Sequence, residues 1–167
     1  MNAQDDRFAA WMTAHLAVLH RISRAFAEPA DQHDLLQELM LAVWTAAPSF
    51  RGDSAPVTFI WRVAHNRALT WRRRESGRAR RTGETQAEWL RLAAETDPAE
   101  AELLEQLYAA IRRLPPVDRS IVLLSLEGAA YRDIGALHGL SETNVGARLT
   151  RARKQITSLI EGDDDGL

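Results

Sequence analysis

Side chains at helical-turn spacing in Tyr131–Ile156, "YRDIGALHGLSETNVGARLTRARKQI", are suited to recognition rather than to making or breaking bonds. Asn144, Arg148 and Arg151 recur at i, i+4 and i+7, beside a stripe of Val145, Leu149, Ala152 and Ile156 at i, i+4, i+7 and i+11. A helix that buries the stripe and presents an amide and arginines beside it suits the major groove of DNA, where arginine pairs with guanine edges and asparagine with adenine. The alternative is a solvated helix whose basic last turns complement its dipole. Bond-making chemistry has no comparable candidate. There is no cysteine, which excludes disulfides and thiolate metal sites. No two of His15, His20, His33, His65 and His138 stand at the i,i+4 spacing that places two imidazoles on one helical face. No nucleophile–base spacing, phosphate loop or metal cluster is present, so neither an enzyme nor a cofactor is expected.

The elements that position these side chains are helices. Within the quoted stretch, Ile134 and Leu137 form the buried side of a short first helix, Gly139 supplies a left-handed turn, and Ser141 caps the second helix. Upstream, Arg7–Ala27 reads as one helix with Phe8, Trp11, His15, Val18, Leu19, Ile22 and Phe26 near one face. "EPAD" breaks it, and Asp31 is the expected cap of a helix over Gln32–Ala47. That helix carries an apolar stripe of Leu35, Leu36, Leu39, Met40, Val43 and Trp44, with Asp34, Gln37 and Glu38 on the other side. "PSFRGDSAP" is a loop by composition. A third helix from about Val57 to Glu75 has Ile60, Ala64, Ala68 and Trp71 on one face and Arg62, Asn66 and Arg73 on another. From about Ala99, Leu103, Leu107, Ala110, Ile111 and Leu114 recur at helical spacing until "LPP" stops the helix. Asp118 is the expected cap of a further helix through Ile121, Val122, Leu124 and Leu126, closed by Gly128.

A net charge of −2 hides a strong pattern. Arg62–Arg81 holds eight arginines (62, 67, 72, 73, 74, 78, 80 and 81) against Glu75. Gly83–Glu105 holds seven acids (84, 88, 95, 97, 100, 102 and 105) against Arg91. Arg148–Lys154 is again purely basic. Two basic patches around an acidic middle imply two modules and a polar linker. The expected fold is all-α: two small helical domains, residues 1–76 and 99–161, joined by an acidic, flexible linker over 77–98 and followed by an acidic tail, 162–167. No apolar run approaches the roughly 18 residues of a membrane span, and the N-terminus lacks a signal pattern, so a cytoplasmic protein without membrane insertion is expected.

The front half, "DQHDLLQELMLAVWTAAPSFRGDSAPVTFIWRVAHNRALTWRRR", resembles the promoter-melting region of extracytoplasmic-function (ECF) sigma factors, small members of the sigma-70 family. It carries Asp31, Asp34, Leu35, Gln37 and Glu38, then Val43 and Trp44, then Phe50 to Ser54, then Trp61 to Ala64, Asn66 and Ala68 in the order of that family's pattern. The back half, from "LPPVDRS" to "RARKQI", resembles the family's second DNA-binding region. Ala130 stands where a hydroxyl cap is frequent, and Gly146 and Ala147 where lysine and serine are frequent, which weakens and discharges the second helix locally.

The resemblance implies a factor that binds RNA polymerase core, at the clamp of the largest subunit, and directs it to promoter DNA. Asp34, Gln37 and Glu38 would meet the core. Phe50, Arg51, Asp53 and Ser54 would receive a base flipped from the melted strand, with Phe50 equally suited to packing, and Arg62, Asn66, Arg67, Arg72 and Arg73 would hold DNA nearby. Ser141, Thr143, Asn144, Arg148 and Arg151 would serve the upstream promoter element, with Arg153 and Lys154 on phosphate. Only "DDDGL" follows Gly162, so control is expected from a separate anti-sigma factor. The competing reading is a stand-alone helix-turn-helix regulator, which would need a dimer seam that no helix here is left to provide.

Overall fold

A computed structural model describes residues 2–75 and 97–164, giving the backbone alone for 72–75 and 163–164. Residues 77–96 of the expected linker lie outside the described residues. The chain divides into two compact units, Met1–Gln86 and Ala87–Leu167. Among the described residues the regular structure is helical throughout: α1 (Ala3–Phe26), α2 (Gln32–Ala46) and α3 (Pro56–Glu75), then α4 (Pro98–Arg112), α5 (Pro116–Leu126), α6 (Tyr131–His138) and α7 (Glu142–Asp164).

In the first unit, α1 begins at Ala3 rather than at Arg7 because Asn2 caps it: the Asn2 carboxamide oxygen accepts from the N–H groups of Gln4 and Asp5 at 3.0 and 2.9 Å. The three helices pack pairwise around Leu19, Ile22, Leu35, Leu39, Val43, Ile60, Ala64 and Ala68, all fully buried. Phe8, His15 and Met40 lie at the margin, half-buried, and so does Trp71. Asp31 stands at the cap position of α2 but makes no capping bond, because a 3₁₀ turn over Pro29–Asp31 already winds the backbone there. Trp44, expected in the buried stripe, is instead 38% exposed. Its indole Nε1 donates to Asp5 Oδ1 at 3.3 Å. Gln4 Nε2 donates to the Trp44 carbonyl and Arg7 Nη1 to the Ala47 carbonyl, each at 3.0 Å. The first turns of α1 thereby add side-chain donors to the carbonyls at the end of α2, of which Ala47 also accepts from the Phe50 N–H at 3.2 Å.

In the second unit, Asp97 caps α4 through its Oδ1, which accepts from the Ala99 N–H at 3.1 Å, so the helix starts at Pro98 inside the expected linker. α5 starts at Pro116 with Pro115 at the cap position; Asp118 is not the cap but sits in the first turn. Arg119, which the sequence reading passed over, is buried and joins α4 to α5: its Nε donates to the Leu114 carbonyl at 2.8 Å and its Nη2 to the Arg112 carbonyl at 2.5 Å. α7 packs on α4, α5 and α6 over a core of Ile111, Leu114, Ile121, Leu123, Ile134, Val145 and Leu149. Two leucines expected in that core are exposed, Leu103 at 61% and Leu126 at 67%, because no described helix packs over them. α7 runs on to Asp164, so the start of the expected acidic tail is helical, while residues 165–167 lie outside the described residues.

Candidate nucleic-acid and partner interfaces

The helix-turn-helix is built from α6 and α7. Ala130 offers no side-chain cap to α6, and the N–H groups of Asp133 and Ile134 close the first turn on its carbonyl at 2.9 and 3.0 Å. Gly139 ends α6 in the left-handed region, φ 67 and ψ 35, and the N–H groups of Gly139 and Leu140 both turn back to the Gly135 carbonyl, Leu140 at 2.9 Å. A Cβ on Gly135 would stand 2.4 Å from the Leu140 carbonyl oxygen. Gly139 is legible from the sequence as a turn residue and Gly135 is not; its one signal is a glycine inside an eight-residue helix, where it lowers propensity. Ser141 Oγ then accepts from the Asn144 N–H at 3.1 Å, capping α7.

Along α7, Val145, Leu149, Ala152 and Ile156 are buried, as their spacing required. Ser141, Thr143, Asn144, Arg151, Arg153 and Lys154 are exposed, Arg153 with its Nη2 3.3 Å from Ser125 Oγ. Arg148 departs from expectation. It does not face outward with Asn144 and Arg151 but is half-buried, its Nη1 donating to Asp118 Oδ1 at 2.8 Å. The reason is angular: at about 100° per residue, Arg148 falls about 70° from the centre of the buried stripe, against about 130° for Arg151. The position is close enough to the stripe for the start of α5 to cover it.

His138, at the end of α6, has its pKa held below the ordinary 6.5 by burial and by the Arg148 charge. In the first unit His20 is lowered by burial and by the charges of Arg24, Arg21 and His33. Both are neutral in the folded chain at pH 7, and the unfolded chain takes up protons first as the pH falls. Their stabilisation is therefore complete above pH 6.5 and is lost as the pH drops through the lowered folded values. The urea midpoint is expected to fall between pH 7.5 and 5.5, and His138→Gln to flatten that dependence for the second unit; a midpoint independent of pH over that range would contradict it.

In the first unit, Phe50 sits against Trp11 and Phe59 with ring centroids 5.2 Å from each, and Trp11 and Phe59 are 5.7 Å apart. This half-buried cluster fastens the loop that follows. There Arg51 and Asp53 are exposed, Ser54 is half-buried, and Gly52 takes φ +79. On α3, Arg62 and Asn66 are exposed, while the side chains of Arg72 and Arg73 lie outside the described residues. Trp61 is buried as packing. Arg67, assigned by resemblance to DNA, is half-buried in an ion pair with Glu38 of α2, assigned to the polymerase. The two residues thus occupy one another in the free chain.

The outward face of α2 is broader than the sequence reading gave. Asp34 and Gln37 are exposed, with Gln37 Nε2 3.0 Å from His33 Nε2. Leu41, not singled out from the sequence, is 60% exposed and diametrically opposite the buried stripe. With Trp44 it completes a run of i, i+3, i+7 and i+10 (34, 37, 41 and 44), the spacing that lines one side of a helix against another helix. Glu38 and Arg67 lie at its edge.

The profile of Sigma-70 region 2 matches residues 4–78, and that of Sigma-70, region 4, matches residues 104–156. The chain is 30% identical over 148 residues to the ECF RNA polymerase sigma factor SigM of Mycobacterium tuberculosis, covering 87% of this chain and 73% of that one. It is 26% identical over 168 residues to the RNA polymerase sigma factor NccH of Alcaligenes xylosoxydans, covering 95% of this chain and 90% of that one. In fold it is similar to the sigma factor RpoE of Bartonella quintana, solved with the anti-sigma factor NepR, at a TM-score of 0.68 and 17% identity over 93% of this chain and 97% of that one.

Proposed function

Since the chain belongs to the ECF sigma factors of the sigma-70 family, and so is an alternative sigma factor that directs transcription initiation, we propose a division of labour among the surfaces described above. The first unit binds polymerase core through the outward face of α2, with Asp34, Gln37 and Leu41 as its centre. The Phe50–Ser54 loop, fastened by the Trp11–Phe50–Phe59 cluster, receives a base of the melted strand: the aromatic anchor holds the loop still, so that less of the capture energy is lost to ordering it. Arg62 and Asn66 of α3 hold the neighbouring backbone. α7 of the second unit lies in the major groove at the upstream element. The chain does no chemistry of its own and works in the cytoplasm, where polymerase is. The fold it shares with RpoE, a factor solved with an anti-sigma factor, supports control by an anti-sigma protein.

One observation carries this reading: two units, matched in order by two different sigma regions, with the helix-turn-helix confined to the second. The test is transcription with purified core enzyme on a library of duplexes randomised at two elements. Chain plus core is expected to enrich a defined pair of elements, while the chain alone retains no duplex at the same concentration. Tight, sequence-specific binding by the chain alone would favour the stand-alone regulator.

A further inference from the structure

We infer that the Asp118–Arg148 pair is a positioning device that sets the rotation of α7 on α5, and that base discrimination falls to the face beyond it, on Thr143, Ala147 and Arg151. The inference rests on the reading of α7 as the promoter-recognition helix. Four observations support it. Arg148 donates to Asp118 at 2.8 Å with both side chains largely covered, 32% and 19% exposed. Arg148 Nε is buried and has no hydrogen-bond partner among the described residues, so that edge of the guanidinium is covered by protein. Asp118 stands in the first turn of α5, where the positive end of the helix also favours its carboxylate, which makes it a fixed anchor. On the other edge of the buried stripe, Arg153 reaches the same helix near its far end, at Ser125.

α7 therefore has one arginine on each side of its buried stripe, and both reach α5. A helix held only by Val145, Leu149, Ala152 and Ile156 could roll on apolar contacts, which are non-directional; a charged hydrogen bond at its edge is directional and resists that roll. What remains for DNA is the far face. At about 100° per residue, Thr143, Ala147 and Lys154 lie roughly 150–170° from the stripe centre and Arg151 about 130°. A base-reading role for Arg148 would require it to break its bond to Asp118 and leave that half-buried carboxylate without its partner, a loss that each base contact would first have to offset.

The free full-length chain supplies the first arm of the test. Arg148→Met and Asp118→Asn should each lower the melting temperature of the second unit, and the double variant should melt no lower than the worse single, because both remove one bond. Additive losses would overturn the clamp. The second arm uses holoenzyme on the selected promoter and its single-base variants at two salt concentrations. Arg148→Met should weaken binding to every variant by one common factor, roughly three- to tenfold, without changing the salt slope. Arg148→Lys, which keeps a charge within reach of Asp118, should restore most of the loss. Asp118→Asn should reproduce the common factor, and adding Arg148→Met to it should change nothing further. Arg151→Ala should relax preference at one position. If Arg148→Met relaxes a single position instead, or flattens the salt slope as a lost phosphate contact does, Arg148 touches DNA and the inference falls. An unaltered holoenzyme that cannot tell the variants apart would sink the promoter reading, and the free-chain coupling would still decide the clamp.

Discussion

Leu41→Glu combined with Asp34→Lys is expected to lower the affinity for polymerase core by on the order of a hundredfold, about 2.8 kcal/mol, while the chain keeps its helical content. Leu41 is a large apolar side chain on the face of α2 opposite the core. A glutamate there disturbs nothing in the fold, since exposed substitutions away from special features stay within about 0.5 kcal/mol. Asp34 is in the first turn of α2, so its reversal alone costs up to about 1 kcal/mol of helix-dipole interaction. Leu41→Glu by itself is therefore the cleaner half of the pair, and should account for about half of the loss in free energy. Glu38→Lys is a poorer probe, because it also breaks the ion pair with Arg67 and sets two cations face to face. The measurement is fluorescence or calorimetric titration of core with each variant, alongside circular dichroism. Core affinity unmoved by Leu41→Glu would remove α2's outward face from the interface.

What could be read from the sequence, and what could not, divides along the range of the forces involved. The left-handed Gly139, the Ser141 cap and the stripe from Val145 to Ile156 depend on residues within a few positions of one another, and all three stand in the structure as read. The Glu38–Arg67 and Asp118–Arg148 pairs join residues 29 and 30 positions apart. No local rule brings them together, and each changes what its arginine is able to do. An arginine at i+4 from Asn144 suits a groove and so reads as outward; whether a side chain at the edge of a stripe is covered depends on which neighbour lies there. Leu103 and Leu126 erred in the opposite direction. Their spacing fits a buried stripe, and no described helix comes to bury them. Trp44 counts toward the apolar stripe by residue type, although its angle on α2 is nearer that of Gln37 than that of Leu39. The loop had the same ambiguity: Phe50 could be read as base platform or as packing, and the Trp11 and Phe59 rings that seat it lie 39 and 9 residues away.

Gly135→Ala is expected to destabilise the second unit by roughly 1–3 kcal/mol, and by more than Gly139→Ala. The two glycines of this turn are needed for different reasons. At Gly139 the constraint is conformational: φ is 67°, and among the described residues an added Cβ meets nothing within 4 Å. Alanine there pays only for the left-handed backbone, about 1 kcal/mol. At Gly135 the backbone is ordinary helix, but an added Cβ would lie 2.4 Å from the Leu140 carbonyl oxygen. That carbonyl cannot swing aside freely, because the Leu140 N–H is bonded back to the Gly135 carbonyl at 2.9 Å and Ser141, the cap of α7, follows directly. Relief of the clash must therefore move the start of α7 away from α6. At about 4–8 °C per kcal/mol for a unit of this size, Gly135→Ala should lower the melting temperature by several degrees to about 20 °C, and the variant should lose promoter selection before it loses core binding. The first unit holds the proposed core interface and is not touched. Melting of the full chain, followed by core titration and by transcription on the selected promoter, separates these effects. A Gly135→Ala chain that melts with the unaltered one would mean that the turn accommodates a methyl group, and that the close approach of α6 to Leu140 does not set the angle of the helix-turn-helix.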